Sequence, residues 1–342
     1  MNRLIFEATN RCNLRCKHCL RDTTQRGHDL SVPLLERVLR QARDYYRVQF
    51  VGLTGGEPLL HPELCRILEV IAERDYIFTI VTNGLLVPQY LELFKRPEIK
   101  PRIEHISVSL DGPDAETHDA IRGPGTYKKA MRAFLMLKAA GIPAVLKYAV
   151  GRHNIDSLER AVMELCHLEP KRIEIALILP TPDNMAAGLI PSPAEYRQAA
   201  SLIFRLSQEL KTPILLNAGI YVNQSFFTCT SLSMLDVYID AKGRLGFCCI
   251  LPGISSGDGR KGEPEAVADL AETDLCEAHK RLLSLISGFQ RKRIDMIRKG
   301  ELDETDHFQC IACLRYFKKM EWLDSLPDNP WSRCATPREG KK

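Results

Sequence analysis

The sequence predicts an α/β fold built as an incomplete barrel of parallel strands. Over the first half of the chain, short β-rich runs alternate with amphipathic segments long enough to be helices. This alternation is typical of right-handed βαβ units and a parallel sheet. The candidate strands are residues 4–8, 48–54, 77–82, 103–110, 144–150 and 173–179. Six units are fewer than the eight of a closed barrel, so we expect a partial (β/α)6 barrel that is open on one side.

The elements beyond this alternation predict a second, smaller region. The helices of the barrel are expected over residues 33–46, 62–74, 127–140 and 155–168. After residue 180 we expect a helix over 191–210, a strand over 214–222, a hairpin over 235–249 and a long helix over 272–300. The hairpin prediction depends on the turn-forming run from Asp240 to Gly243. We therefore divide the chain into a barrel over residues 1–220 and a small α+β extension over residues 221–342.

Composition excludes several classes of function. The chain of 342 residues has 47 Lys and Arg against 43 Asp and Glu, and the basic residues are scattered, so no nucleic-acid partner is expected. It has neither an apolar run of membrane-spanning length nor a charged-then-apolar leader, so we expect a soluble cytoplasmic protein with no membrane partner. Twelve cysteines without a leader indicate metal or redox chemistry rather than a disulfide framework.

Three cysteines follow the first predicted strand. Cys12, Cys16 and Cys19 are separated by three and then two residues. Thiolates hold iron–sulfur clusters, and a cluster ligated only by protein would show a fourth cysteine. Three thiolates leave one iron open to a ligand that is not protein. Zinc also takes thiolates, and a zinc site with a distant fourth partner is the main alternative at this point.

Polar groups suited to a single ligand follow the later strands. Paired glycines after the second strand let the backbone approach a ligand closely, and Glu57 beside them supplies a carboxylate for an amine. Ser109 and Asp111 end the fourth strand and suit ribose hydroxyls or an amine, and Arg122 can hold a carboxylate through two hydrogen bonds. Together they fit a ligand with an amino group, a carboxylate, a ribose and a purine. A zinc site requires none of these groups.

These motifs resemble those of the radical S-adenosylmethionine enzymes. The resemblance includes the cysteine loop, the Gly-Gly-Glu-Pro run and the Ser-x-Ser-Leu-Asp-Gly run with its downstream arginine, over about residues 1–180. It implies a TIM-like partial barrel and a [4Fe–4S] cluster on the three N-terminal cysteines. It also implies that the amine and carboxylate of S-adenosylmethionine chelate the fourth iron.

The resemblance further implies which residues contact S-adenosylmethionine. The Gly-Gly-Glu run would lie at the methionyl amine, the serine and aspartate near the ribose and methionine moiety, and the arginine near the carboxylate. His18 stands where the family usually has an aromatic residue, and we expect it to pack on the adenine side. The cofactor-binding set is His18, Gly55, Gly56, Glu57, Ser109, Asp111 and Arg122.

Four cysteines in the C-terminal region suggest a second site. They lie in two distant segments and are Cys229, Cys248, Cys310 and Cys313. Four thiolates make either a closed cluster or a structural zinc site, and the cluster is favoured because an iron–sulfur site is already present. The adjacent Cys249 is an alternative ligand, but a glycine five positions before Cys248 in the predicted hairpin favours Cys248.

The spacing of these cysteines resembles the SPASM and Twitch extensions of radical S-adenosylmethionine enzymes. The longer SPASM form continues with cysteines at positions that hold Lys319 and Leu323 here. The resemblance therefore implies the shorter Twitch form, with one auxiliary [4Fe–4S] cluster on the four cysteines.

The resemblance implies an oxidative radical reaction. We expect reductive cleavage of S-adenosylmethionine to a 5′-deoxyadenosyl radical, hydrogen abstraction from the substrate and electron removal through the auxiliary cluster. The favoured substrate is a peptide or protein side chain, and the alternative is an aminoglycoside-like small-molecule alcohol. A proton acceptor is expected at Lys147, Tyr148 or Glu174.

The resemblance also implies partners. These are a flavodoxin- or ferredoxin-like electron donor and a separate peptide-recognition protein. A non-catalytic iron–sulfur or zinc interaction protein is a remote alternative, because it has no use for the groups at the strand ends.

Overall fold

The architecture is taken from a computed structural model, which describes residues 1–21, 27–254, 263–326 and 328–332. In this described part the strands are Arg3–Thr9 (β1), Phe50–Gly55 (β2), Ile77–Thr82 (β3), Ile103–Ser109 (β4), Ala144–Val150 (β5), Ile173–Leu177 (β6), Ile214–Ala218 (β7), Asp236–Ile239 (β8), Arg244–Gly246 (β9) and Ala266–Asp269 (β10). They form one sheet in the order β10-β9-β8-β1-β2-β3-β4-β5-β6-β7. Neighbouring strands from β1 to β7 are parallel, as predicted.

Helices follow most of the parallel strands. In chain order they are Val32–Tyr46 (α1), Leu64–Glu73 (α2), Val87–Lys95 (α3), Ala115–Arg122 (α4), Thr126–Ala139 (α5), Leu158–Cys166 (α6), Pro182–Ala186 (α7), Pro193–Glu209 (α8), Leu275–Lys299 (α9) and Gln309–Tyr316 (α10). The first helix illustrates why they form: its buried residues recur every three or four positions, and Pro33 lies in its first turn. Each predicted helix is present, with shifts of up to three residues at its ends.

The C-terminal region extends the barrel sheet directly. Strand β8 pairs in parallel with β1, with Ile5 opposite Tyr238, and the predicted hairpin is formed by β8 and β9 around Gly243. The position of β8 beside the first strand was not predictable from the sequence, because pairing over this separation leaves no local pattern. The division of the chain near residue 220 stays a prediction.

The two faces of the sheet differ in polarity. On β4 the apolar Ile106 and Val108 lie in the hydrophobic core with the helices, whereas His105, Ser107 and Ser109 alternate onto the inner face of the barrel. Because parallel strands all end on the same side, the loops after β1 to β5 meet at one rim. That rim is where the predicted cofactor residues lie. Among the described helices, none is long and apolar enough to cross a membrane.

Candidate cofactor site at the carboxyl ends of the strands

The first cysteine loop leaves the carboxyl end of β1. Cys12, Cys16 and Cys19 carry reduced thiols and are partly exposed. The backbone turns tightly around them: the N–H of Leu14 lies 3.4 Å from Cys12 Sγ, and the N–H of Cys19 donates to the carbonyl of Cys16 at 3.1 Å. The predicted set of three thiols is thus presented on one loop at the rim of the barrel.

The paired glycines after β2 lie directly against this loop. The N–H of Gly56 donates to the carbonyl of Thr9 at 2.8 Å, and the N–H of Glu57 donates to the carbonyl of Arg11 at 2.7 Å. A Cβ atom at Gly55 would lie 2.2 Å from the oxygen of Thr9, and one at Gly56 would lie 2.1 Å from the oxygen of Arg11. Glycine is therefore required here because the backbone of the cysteine loop occupies the space of a side chain.

The carboxylate of Glu57 is fully buried and already has hydrogen-bond donors. It accepts hydrogen bonds from Thr82 Oγ1 at 2.7 Å, from the N–H of Asn83 at 2.7 Å and from the N–H of Leu59 at 3.1 Å. Burial raises the pKa of Glu57 to about 7, although these donors act in the opposite direction. Its side chain thus joins the ends of β2 and β3, and its suggested contact with the methionyl amine stays a prediction.

Asp111 joins His18 and Arg122. The carboxylate of Asp111 is completely buried and lies 2.6 Å from His18 Nε2, beside Arg122 Nε, and it accepts a hydrogen bond from the N–H of Ala149 at 3.0 Å. Burial opposes ionisation of Asp111, but Arg122 and His18 outweigh it and hold its pKa well below the usual range. The structure thus brings together three of the predicted cofactor residues, with the imidazole of His18 directed at the carboxylate.

Arg122 also reaches the cysteine loop. Its Nη1 lies 4.0 Å from Cys16 Sγ, and it projects from the last turn of α4, the helix that follows the Asp111 segment. Burial raises the pKa of the Cys16 thiol to about 11, and the guanidinium of Arg122 acts in the opposite direction. A positive charge beside a thiol favours its thiolate form, which is the form that binds iron.

Two supporting residues of this rim carried no recognisable sequence signal. Asn154, almost fully buried, donates to the carbonyls of Asp111 at 2.9 Å and Ala149 at 2.8 Å. His118 Nδ1 accepts a hydrogen bond from the N–H of Asp111 at 3.1 Å. Ser109, the last predicted cofactor residue, is buried at the end of β4, with Lys147 of β5 opposite it in the sheet.

The C-terminal cysteines also come together. The thiols of Cys229, Cys310 and Cys313 interact electrostatically, and burial raises the pKa of Cys310 to about 11. Cys310 Sγ accepts a hydrogen bond from the N–H of Gly219 at 3.5 Å. Both members of the adjacent pair reach this group, since Cys248 and Cys249 each interact with Cys310. The structure therefore places both alternatives for the fourth ligand beside the other three thiols.

The inner face of the barrel carries charged side chains on β5 and β6. Lys147 Nζ lies 3.8 Å from Glu174 Oε2, beyond hydrogen-bond distance, and is close enough to Cys249 to interact electrostatically. Glu174 is buried and held by Arg172, whose Nη2 lies 2.7 Å from Glu174 Oε1. Tyr148 instead alternates to the other face of β5 and lies in the hydrophobic core. Of the three suggested proton acceptors, Lys147 and Glu174 therefore share the barrel interior.

Sequence comparison gives relatives over part of the chain. A protein named AdoMet-dependent heme synthase from Methanosarcina barkeri is 28% identical over 216 residues, which cover 61% of this chain and 59% of the relative. One of the same name from Nitratidesulfovibrio vulgaris is 28% identical over 209 residues, which cover 59% and 55%. The chain thus spans somewhat more than half the length of these relatives.

Structure comparison confirms the predicted fold class. The crystal structure of Streptococcus suis SuiB bound to S-adenosylmethionine superposes with a TM-score of 0.66 at 16% identity, covering 84% of this chain and 68% of SuiB. The structure of anSMEcpe with bound AdoMet gives a TM-score of 0.66 at 13% identity, covering 85% and 84%. At these identities the likeness establishes the architecture, an α/β fold with a TIM-like partial barrel.

A family model matches the N-terminal part of the chain. The model described as the Radical SAM superfamily matches residues 6–165, which contain the first cysteine loop and the rim residues around it. This family implies S-adenosylmethionine and a [4Fe–4S] cluster as cofactors. Residues 6–165 are therefore a radical SAM domain.

Proposed function

We propose that this protein is a radical S-adenosylmethionine oxidoreductase that modifies a peptide or protein side chain. One observation carries the proposal: a loop that bears three cysteine thiols lies against the Gly55–Gly56 turn and beside Arg122, within a radical SAM domain. When bound, the cluster and S-adenosylmethionine supply a 5′-deoxyadenosyl radical that takes a hydrogen atom from the substrate.

The residues of the first site fit this cofactor pair. We assign Cys12, Cys16 and Cys19 to the cluster, and the strand ends from β2 and β4 with Arg122 to S-adenosylmethionine. Among the residues that the structure describes, no three His, Cys, Asp or Glu side chains converge as one metal ion would need. A four-iron cluster has its irons at separate corners, so its thiolate ligands need not converge on one point. The donor set therefore favours a cluster over a single zinc ion.

We assign an auxiliary [4Fe–4S] cluster to Cys229, Cys248, Cys310 and Cys313. Support comes from the packing of these partly buried thiols against the hydrophobic core and from their mutual interactions. Four protein ligands leave no iron for the substrate, so this cluster would accept an electron from it. Oxidation is therefore the outcome that we propose.

Two comparisons bear on the substrate, and they suggest different molecules. SuiB has been solved with the precursor peptide SuiA, and anSMEcpe with the peptide Cp18Cys, which supports a peptide substrate. The relatives named AdoMet-dependent heme synthase favour a second candidate, a tetrapyrrole. The aminoglycoside-like alcohol stays the remaining alternative.

The remaining roles follow from this assignment. Lys147 and Glu174, which share the barrel interior, are the candidates to move a proton on the substrate. We further propose a cytoplasmic location, a flavodoxin- or ferredoxin-like electron donor and, for a peptide substrate, a separate recognition protein.

Iron and sulfide counting after anaerobic reconstitution tests the two-cluster assignment. We expect about eight irons per chain, and about four in Cys310→Ala, because each cubane holds four. Cys276→Ala is the matched control, since Cys276 lies on α9 outside both cysteine groups, and it should keep the full count. About four irons and one zinc in the wild type would contradict the auxiliary cluster. Cys310→Ala should still cleave S-adenosylmethionine but form no oxidised product.

A further inference from the structure

The segment that carries Cys248 and Cys249 is irregular yet mostly buried. Residues 248–254 form neither helix nor strand, and Leu251 and Ile254 are at most 3% exposed. Buried backbone carbonyls outside regular structure need hydrogen-bond donors from elsewhere, because an unpaired carbonyl away from water is costly. The donors to this segment include two cationic side chains that come from opposite directions.

Arg21 is the first of these cations. It lies two residues after Cys19, and its guanidinium donates to the carbonyls of Cys249 and Pro252, each at 3.1 Å. It also donates to the hydroxyl of Tyr238 at 3.3 Å. One side chain from the first cysteine loop therefore holds two carbonyls of the second.

A buried carboxylate holds Arg21 in this position. Glu7 of β1 is 5% exposed, and its Oε1 lies 3.6 Å from Arg21 Nη1. Its other oxygen accepts a hydrogen bond from the hydroxyl of Tyr238 at 2.8 Å. Because β8 pairs with β1, Tyr238 and Glu7 lie on neighbouring strands, and the group Glu7–Arg21–Tyr238 connects β1, β8 and both cysteine loops.

Lys319 is the second cation. Its Nζ donates to the carbonyl of Ile254 at 3.0 Å, and it lies 2.8 Å from Glu265 Oε1. Lys319 is 5% exposed and Glu265 is fully buried. Desolvating two charges is expensive, and a buried pair is retained when it fixes a specific arrangement. Lys319 also stands at a position where the longer SPASM pattern has a cysteine.

We propose that Arg21 and Lys319 are positioning residues that hold residues 248–254 in place, and thereby fix the second cysteine group relative to the first. Each cation is held by its own buried carboxylate, so the segment is fixed near both ends. The functional consequence, a defined separation between two clusters, rests on the auxiliary cluster of the proposed function. The positioning itself depends only on protein–protein contacts.

Hydrogen–deuterium exchange of residues 248–254 tests this proposal. We expect Arg21→Met and Lys319→Met each to speed exchange of this segment by about tenfold or more, because each removes hydrogen bonds from a charged donor. Arg43→Met is the matched control. The guanidinium of Arg43 lies 4.4 Å from the centre of the Tyr76 ring and donates a hydrogen bond to the carbonyl of Arg74 at 2.8 Å. This variant should leave the segment unchanged.

Conservative variants keep the test informative if a methionine variant does not fold. Arg21→Lys retains the charge but cannot reach two carbonyls at once, so it should exchange at a rate between those of wild type and Arg21→Met. In reconstituted protein, the magnetic coupling between the two reduced clusters should change in Arg21→Met and not in Arg43→Met.

Exchange at the wild-type rate in both Arg21→Lys and Lys319→Met, or an equal rise in Arg43→Met, would overturn the proposal. Exchange is measured in iron-free as well as reconstituted protein. A wild type that holds only four irons therefore contradicts the auxiliary cluster without affecting this readout.

Discussion

At the scale of single residues, Asp111 shows how the site differs from its sequence-based description. The motif placed Asp111 and Arg122 near the cofactor, and His18 on the adenine side. In the structure these three side chains contact one another, and Arg122 also reaches Cys16. Such contacts join loops that are distant in the chain. A sequence motif therefore identifies the residues but does not predict which of their side chains contact one another.

Glu57 gives a prediction about pH. Its pKa is raised to about 7 in the folded protein by burial, against an ordinary value of 4.5. Between these values the folded state holds a proton that the unfolded state has released, so the free energy of unfolding falls as pH rises. We expect this one group to lower stability by about 3 kcal/mol between pH 4.5 and 8.

Denaturant unfolding of iron-free wild type and Glu57→Gln at several pH values measures this effect. The variant should be less stable at every pH, because the NH2 group of the new side chain cannot accept the hydrogen bond from the N–H of Asn83. Its stability should nevertheless fall less steeply as pH rises. Parallel pH profiles for the two proteins would show that Glu57 has an ordinary pKa.

At the scale of elements, the turn after β2 supports the cysteine loop through backbone contacts. Gly56→Ala would place a methyl group 2.1 Å from the oxygen of Arg11. Because that atom belongs to the backbone, we expect a loss of about 1–3 kcal/mol in stability and less iron bound at the first site. Iron analysis and denaturant unfolding measure the two effects.

Gly52→Ala is the control for this prediction. Gly52 lies on β2, the strand before this turn, but a Cβ there would lie at an ordinary 3.5 Å from its nearest atom, Thr79 Oγ1. Gly52→Ala should therefore bind iron like the wild type. Equal iron loading in the Gly56 and Gly52 variants would mean that the close approach to Arg11 does not shape the first site.

Local elements were predictable because their signals are local. Hydrophobic periodicity and β-rich runs predicted the parallel strands, and the turn at Gly243 predicted the hairpin of β8 and β9. The pairing of β8 with β1, and the buried ion pairs of Glu7 and Glu265, depend on contacts between distant segments. The glycine motif was recognised in the sequence. The sequence did not show, however, that these glycines make room for the backbone of the cysteine loop.

At the scale of the whole molecule, the barrel and the C-terminal region share one sheet. Removal of residues 221–342 would leave the β8 side of β1 unpaired and take Tyr238 away from Glu7. We expect a chain of residues 1–220 to aggregate or to unfold without a cooperative transition, because an exposed strand edge can pair with another chain. Calorimetry and size-exclusion chromatography, with the full chain as control, measure this.

A cooperative, monomeric fragment that melts at the temperature of the full chain would contradict this prediction. In that case residues 1–220 would be an independent domain, and the shared sheet would be only an interface between two domains.

Reductive cleavage of S-adenosylmethionine tests the central claim most directly. Anaerobically reconstituted protein is incubated with S-adenosylmethionine and dithionite, and 5′-deoxyadenosine is measured. We predict that the wild type and Cys65→Ala, which changes an exposed thiol on α2, form 5′-deoxyadenosine, and that Cys16→Ala forms none. A reconstituted wild type that forms no 5′-deoxyadenosine, or a Cys16→Ala variant that forms as much as the wild type, would contradict radical chemistry at this site.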